Sequence, residues 1–217
     1  MPITEPTPRT TVKRRAQRGV YDHAAILRIL DEGLVCHLGF VVDGQPFVLP
    51  TAYARIRDDL YVHGSPSNRM LRTGKGGVGL CVTVTLVDGL VLARSAFHHS
   101  MNYRSVVLLG TATVVEDVAE KQAAFRALVE HVMPGRYEGV RPPTDDEMTG
   151  TLVLRLPISE GSAKVRSGPP IDDEADYAWP VWAGVIPLSV RPGSPVADPR
   201  LDPEHGLPAY AATYTRG

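Results

Sequence analysis

Residues 34–56 read LVCHLGFVVDGQPFVLPTAYARI, and this stretch decides the fold class. Leu34 to Val42 forms a near-continuous apolar run, which is typical of a buried strand. Asp43-Gly44 then gives a strong hairpin signal, and Gln45 to Ile56 returns as a second run. The pattern therefore predicts two antiparallel strands joined by a tight turn.

Short apolar runs separated by turn residues continue along the rest of the chain. We predict further strands at Leu60–His63, Val78–Val87, Leu90–Ala93, Tyr103–Val115, Thr151–Ile158 and Val181–Val190, with Asp88-Gly89 as a second hairpin turn and Ser95–Asn102 as a loop. Helical patterns flank these strands rather than alternate with them, which disfavours a doubly wound parallel sheet. The expected fold is mostly β with flanking α, built as a small antiparallel barrel.

Four helical segments are predicted from their caps and from the spacing of their apolar residues. They are Asp22 to Gly33, a helix entered at Pro66 and continuing through Leu71, Val118–Val132, and a short capping-box turn from Thr144 to Glu147. We also expect three parts in the chain: a flexible basic arm over residues 1–19, one domain over 20–190 and a Pro-rich tail over 191–217.

Composition excludes several classes of protein. The 217 residues include 23 Lys and Arg against 24 Asp and Glu, so a net charge of −1 gives no overall field that attracts nucleic acid or a membrane surface. The two cysteines, Cys36 and Cys81, lie in apolar runs, which argues against a disulfide scaffold. No stretch approaches the ~18–20 apolar residues of a membrane span, and the first residues lack a signal-peptide core. We expect a cytoplasmic protein.

Two motifs are rejected. Residues 74–79, GKGGVG, match the letters of the dinucleotide-binding pattern G-x-G-x-x-G, but here a helix precedes them and a strand follows, the reverse of that motif. The adjacent His98 and His99 point apart on an extended segment, and no carboxylate or cysteine lies at a ligand spacing. We predict no metal site.

Three segments combine apolar strands with groups that bind flat rings or anions. In FVLPTAY (47–53), Pro50 interrupts a strand and leaves neighbouring backbone groups without ladder partners beside an apolar wall. In LYVHGSPSNRM (60–70), a strand ends in hydroxyl residues and enters a helix that carries Arg69, which suits a phosphate. In SMNYRSVVLLGTA (100–112), alternation places Tyr103 and Ser105 on one face.

The order of these segments resembles the FMN-binding split-barrel proteins related to pyridoxamine 5′-phosphate oxidase, in particular the nitroimidazole-resistance flavoproteins. The pieces that carry the resemblance are PFVLPTAYARI (46–56), DDLYVHGSPSNRML (58–71), SMNYRSVVLLGTA (100–112), SAKVRSGPP (162–170) and PVWAGVIPL (180–188). The resemblance implies a homodimer of six-stranded antiparallel Greek-key split β-barrels, with FMN in two clefts at the interface between the chains.

The resemblance also implies roles for individual residues. It places the flavin ring along the backbone of Val48, Leu49, Pro50, Thr51 and Ala52, and the ring and ribityl chain between Val62 and His63. It assigns the phosphate to Ser65, Asn68 and Arg69. Further cofactor contacts are expected from Tyr103, Ser105 and Lys164. His63 matches a histidine that the resistance proteins keep beside the flavin, so it is the candidate catalytic residue. The oxidases bring two adjacent basic residues to the phosphate, whereas Asn68 replaces one of them here, and their substrate-phosphate arginines have no match. Pyridoxamine phosphate oxidase activity is therefore not expected.

The function that follows from the resemblance is that of an FMN-dependent oxidoreductase. It would reduce a small organic acceptor, such as a nitroaromatic compound, with NAD(P)H as a transient donor. The alternative is a non-catalytic protein that binds flavin, haem or deazaflavin on the same fold, because no motif in the sequence specifies a hydride donor.

Overall fold

Ten strands and four α-helices make up the part of the chain that the computed structural model describes, residues 3, 5–67 and 76–216. The strands are β1 (Gly19–Val20), β2 (Val35–Val42), β3 (Gln45–Ala52), β4 (Ala54–Ile56), β5 (Asp59–Gly64), β6 (Val78–Leu92), β7 (Ser100–Val114), β8 (Leu152–Pro157), β9 (Gly161–Arg166) and β10 (Gly184–Pro187). The helices are α1 (His23–Glu32), α2 (Val118–Val132), α3 (Asp145–Thr149) and α4 (Ala209–Ala212). None of these described helices is both long and apolar enough to cross a membrane.

All the strand pairs are antiparallel, and the long strands β6 and β7 form the centre of the sheet. The main path runs β3-β2-β6-β7-β8-β5-β4, while β10 pairs with β6, β9 pairs with β7, and β1 pairs with β9. The end strands β3 and β4 are not paired with each other, so the barrel is not closed. This arrangement confirms the predicted mostly β split barrel.

Alternate residues of these strands fill the barrel interior. Leu38 of β2, Val82 and Val84 of β6, and Val106 and Leu108 of β7 are all buried in one apolar cluster. Because side chains alternate along a strand, the residues between them point to the opposite face. That outer face is the one available for a ligand or a partner.

Local signals set the helix ends as predicted. The Asp22 side chain accepts a hydrogen bond from the Ala25 amide at 2.7 Å, and α1 ends at Gly33. α2 spans the predicted Val118–Val132, and the capping box between Thr144 and Glu147 is present. These ends depend on contacts within one helical turn, which a sequence pattern records directly.

The hairpin predicted at Asp88-Gly89 is wrong. The chain continues through these residues as β6, with a shift of register against β7 between Val87 and Gly89. β10 lies so close that a Cβ at Gly89 would be 3.1 Å from the Ile186 carbonyl oxygen. Gly89 therefore lies at a bulge and in close contact with β10. Both situations favour glycine, as a tight turn does, so the sequence pattern alone does not distinguish them.

The strand predicted over 45–56 is interrupted at Tyr53. The Tyr53 ring is fully buried, and its hydroxyl donates to the carbonyl oxygens of Leu30 and Gly33 at 2.5 and 3.1 Å. Tyr53 thus ties the end of α1 to the corner between β3 and β4. A pattern of apolar residues alone does not show such a corner.

Several other boundaries differ from the sequence predictions. β7 begins at Ser100, inside the predicted loop Ser95–Asn102. The strand predicted at Val181–Val190 is shorter, because only the four residues of β10 form it. The strand β9 was not predicted. Most of the helix predicted from Pro66 through Leu71 lies outside the described residues.

Parts of the N-terminal arm contact the barrel. Ile3 is buried in the main apolar cluster, and the Thr7 hydroxyl donates to the Glu160 carboxylate at 2.6 Å. Arg9 forms an ion pair with the same carboxylate. The arm is therefore anchored at these points, and its flexibility stays a prediction.

Arg216 joins the ends of α1 and α2. Its guanidinium donates to the Glu32 carbonyl oxygen at 2.8 Å and to the carbonyl oxygen of His131. The His131 ring packs on Tyr53, with ring centroids 4.8 Å apart, and its Nε2 donates to the Gly33 carbonyl oxygen at 2.7 Å. Burial lowers the pKa of His131; the bond to Gly33 opposes this, and the charge of Arg216 lowers the pKa further.

We expect His131→Gln to flatten the dependence of stability on pH. The unfolded chain protonates this imidazole near pH ~6.5 but the folded chain only at lower pH, so the wild-type free energy of unfolding falls below pH ~6.5, by up to about 1.4 kcal/mol per pH unit. Glutamine keeps an amide donor and does not titrate. Urea denaturation at pH ~7, ~6 and ~5 measures the difference, with the exposed His205→Gln as control. Parallel curves for His131→Gln and the wild type would contradict this account.

Candidate functional site

One cross-strand row shows how the outer face of the sheet is built. Pro50 of β3 pairs with His37 of β2, His37 with Thr83 of β6, and Thr83 with Val107 of β7. These residues alternate with the buried ones, so their side chains leave the core. The four strands therefore share one continuous outer face.

β3 carries the five residues predicted to lie along a flavin ring. Val48 is 64% exposed on the outer face, and Pro50 and Ala52 share that face by alternation. Leu49 and Thr51 point to the opposite side. The predicted interruption at Pro50 is wrong, because β3 continues through this residue in unbroken register with β2. Since β3 pairs only with β2 among the described strands, this stretch forms the edge of the sheet.

A groove of about 620 Å³ lies on the outer face where β3, β2 and β6 meet. Val41, Val48 and Cys81 contribute apolar side chains to it, while Gly39 and Gly79 leave the floor without side chains. A Cβ at Gly79 would meet no atom within 4 Å, so the floor is open there. A flat apolar group fits such a surface.

His63 lies at the end of β5 beside a second cavity of about 320 Å³. This cavity is lined by Ala52, by His63 and by apolar residues of α2, including Phe125 and Leu128. The rings of His63 and Phe125 are 6.2 Å apart between centroids. Partial burial lowers the pKa of His63, so its imidazole is neutral near neutral pH.

The remaining residues predicted around His63 have different surroundings. The Val62 side chain is buried in the core, so only its backbone is available to a ligand. Ser65 is exposed, and its hydroxyl lies 2.8 Å from that of Ser67. Asn68 and Arg69 lie outside the described residues.

Tyr103, Ser105 and Lys164 form a second group on β7 and β9. Ser105 pairs with Lys164 and donates from its hydroxyl to the Lys164 carbonyl oxygen at 3.3 Å, while Tyr103 is two residues away on the same face of β7. The Lys164 ammonium makes no hydrogen bond or ion pair with any other residue that the structure describes. This group therefore offers a hydroxyl and an unpaired cation.

The two groups of predicted residues are well separated in one chain. Four strand spacings, or roughly 19 Å along the sheet, lie between β3 and β9. Ala52 lies at the β3 end of this distance and Lys164 at the other, while His63, on β5, is three strand spacings from β9 by way of β8 and β7. One small ring does not reach both groups within a single chain, although a long ligand or two chains together could connect them.

Two features of the site region were not predicted from the sequence. The Phe125 side of α2 faces His63, but its apolar spacing is the same as that of any helix packed on a core. His98 Nε2 lies 3.3 Å from the Asp173 carboxylate, and with Asp176 the possible ligand atoms lie within 4.8 Å of one another. These residues are distant in sequence, so a spacing rule misses them. The prediction of no metal site stays a prediction.

Comparison with protein families gives one match over the central part of the chain. The model of the pyridoxamine 5′-phosphate oxidase family matches residues 22–165. A comparison with curated proteins finds no match.

Solved structures similar to this chain extend beyond that central part. A flavocytochrome from Azotobacter vinelandii is 42% identical, with a TM-score of 0.91 and coverage of 98% of this chain and 99% of that chain. The FAD and haem binding protein from Mycobacterium smegmatis is 34% identical, with a TM-score of 0.87 and coverage of 92% and 98%. A protein from Bacteroides thetaiotaomicron assigned to 5-nitroimidazole antibiotic resistance is 24% identical, with a TM-score of 0.55 and coverage of 68% and 86%, and it shows the fold alone.

Proposed function

Since the chain belongs to the pyridoxamine 5′-phosphate oxidase family, we propose that it binds a flavin and a haem and acts as an oxidoreductase. The proposal rests on two structures that align with almost the whole chain, because one is a flavocytochrome and the other an FAD and haem binding protein. These names concern binding alone. The proposed donor, NAD(P)H, and the proposed acceptor, a small organic molecule such as a nitro compound, come from the sequence resemblance.

The chemistry of the outer face fits a flavin. Val41 and Val48 line an apolar groove with an open glycine floor, and Tyr103 and Lys164 add a hydroxyl and a cation at the other side of the sheet. A planar ring with an anionic tail matches a surface of this composition. The sequence resemblance implied FMN. We instead propose FAD as the flavin, in line with the M. smegmatis protein. Ser65, Asn68 and Arg69 remain the proposed contacts of the phosphate nearest the ring.

A haem needs an axial ligand, and imidazole commonly serves as one. His37 stands in the middle of the outer face, between Pro50 and Thr83. Its ring makes no hydrogen bond with another described residue, so its nitrogens are available to iron. We propose His37 as the haem ligand and His63 as the group that exchanges protons with the substrate.

When bound, a flavin accepts a hydride equivalent and a haem exchanges single electrons. The chain itself would position these groups and supply protons. The lowered pKa of His63 leaves a neutral imidazole, which can donate one N–H to a substrate and exchange its proton with water. The positive charge of Lys164 favours an anionic part of the ligand nearby.

We also propose that two chains form a homodimer through the outer face, with the cofactor between them. Val35, Val41, Val48 and Val87 are 42–64% exposed on this face. Apolar residues concentrated on one sheet face are typical of an interface rather than of a free surface. A second chain would also bring the group at Lys164 close to the group at His63, which a single chain keeps apart.

We expect the purified protein to carry both cofactors. Its visible spectrum should show a flavin band and a haem Soret band, and mass spectrometry should identify FAD among the released molecules. His37→Ala should lose the Soret band and keep the flavin, whereas the exposed His99→Ala should keep both. A colourless wild-type protein that binds neither added flavin nor added haem would contradict the proposal.

We expect NAD(P)H to reduce the bound flavin in the absence of oxygen, and a nitroaromatic acceptor to reoxidise it. His63→Gln should retain its flavin and lower kcat by about 100-fold, because glutamine keeps a hydrogen-bonding group and loses the exchangeable ring proton. The exposed His99→Gln is the control. Full turnover in His63→Gln would show that His63 has no catalytic role. If neither NADH nor NADPH reduces the flavin, the alternative of a non-catalytic binding protein is favoured.

Light scattering should give twice the chain mass of 23.5 kDa for the wild type. Val41→Glu should shift the protein towards the monomer, because a carboxylate at the interface loses its hydration. Val118→Glu is the matched control, since Val118 on α2 is 63% exposed and Val41 is 61% exposed. A wild-type monomer, or equal dissociation in the two variants, would exclude an interface at this face.

A further inference from the structure

The end of β9 holds a buried cation that has no carboxylate partner among the described residues. Arg166 is 7% exposed, and its guanidinium donates to the Asn102 side-chain oxygen and to the carbonyl oxygens of Gly168 and Pro169, at 3.2 and 3.0 Å for the latter two. All three acceptors are neutral. They satisfy hydrogen bonds but leave the positive charge unbalanced.

Neighbouring arginines do have carboxylate partners. Arg94 is paired with the fully buried carboxylate of Asp172, and Arg104 is paired with both Glu32 and Asp88. These three carboxylates are thus engaged with other arginines. Arg166 differs from these two arginines because it is buried with no carboxylate partner among the described residues, and this requires an explanation.

Two more cations lie next to Arg166. Lys164 is two residues earlier on the same face of β9, and Gly19, which pairs with Lys164, directly follows Arg18. Burial lowers the pKa of Arg166, and the charge of Arg18 lowers it further, as expected for cations held close together. Tyr103 pairs with Arg166 across the strands and adds a phenol on the same face.

Mutual repulsion of this kind is relieved when an anion binds among the cations. Lys164 lies on the outer face beside Ser105, where the sequence resemblance places cofactor contacts, and the buried Arg166 is two residues further along the same strand. FMN has one phosphate, whereas FAD has two joined phosphates and an adenosine. Additional cations near the second phosphate therefore favour FAD over FMN.

We propose that Lys164 and Arg18, together with the positive charge of the buried Arg166, bind the diphosphate of an FAD whose ring lies on β3 of the other chain of the proposed dimer, and so make the protein select FAD over FMN. This inference rests on the proposed function, because it concerns the same flavin. Arg166 and Arg18 are the new members of the site. Arg166 also fixes the loop at Gly168, so Lys164 and Arg18 are the positions that test the site without disturbing a buried contact.

The experiment compares flavins with two, one and no phosphates. FAD, FMN and riboflavin are titrated into the full-length chain after its flavin has been removed, and quenching of flavin fluorescence gives each Kd. Lys164→Gln and Arg18→Gln should each raise the Kd for FAD about tenfold, since each removes one charge-assisted contact with the diphosphate. The Kd for riboflavin, which has no phosphate, should change by less than about twofold. Arg28→Gln removes the same charge from the surface of α1 and should change none of the affinities.

A second measurement does not depend on the flavin. Inorganic diphosphate should raise the Tm of the flavin-free wild type and of Arg28→Gln, and should raise the Tm of Lys164→Gln much less. Equal losses for all three flavins, or no loss for FAD, would overturn the inference, as would no stabilisation of the wild type by diphosphate. A wild type that is stabilised by diphosphate but binds no flavin would overturn the proposed function while supporting the anion site.

Discussion

The antiparallel pairing of β6 with β7 is the constraint on which the rest of the fold depends. Its register runs from Val78 opposite Ala112 to Val91 opposite Ser100. β2 and β10 attach to β6, and β8 and β9 attach to β7, so four further strands take their positions from this pair. A slip of one residue would exchange the buried residues for those of the outer face. The core and the candidate site therefore depend on the same register.

The sequence predicted those elements whose causes are local. The Asp22 cap and the helix Val118–Val132 are decided within one or two turns, and the hairpin at Asp43-Gly44 joins two strands that are adjacent in sequence. Gly89 shows the limit, because β10 comes from far along the chain and converts a turn signal into a bulge. The sequence around a residue shows which backbone conformations it can adopt, and contacts with distant parts of the chain decide which of these conformations forms.

The candidate site was predictable in its parts but not in its assembly. His63, Ser105 and Lys164 could be proposed from the pieces of sequence around them. Their spacing depends on the order of strands in the sheet, and the short β9 carries no strong strand signal of its own. Phe125 faces His63 because α2 packs there, and no feature of the helix distinguishes that contact from ordinary packing.

The outer face combines three properties that are each unfavourable in an isolated chain. It exposes several valines, and among the strands that the structure describes only β2 pairs with β3. It also gathers cations near Arg166, for which the described residues supply no carboxylate partner. A ligand with an apolar ring and an anionic tail would bury the valines and neutralise the cations, and a second chain would cover what remains. Ligand binding and dimerisation would then stabilise each other, because each removes part of the same exposed surface.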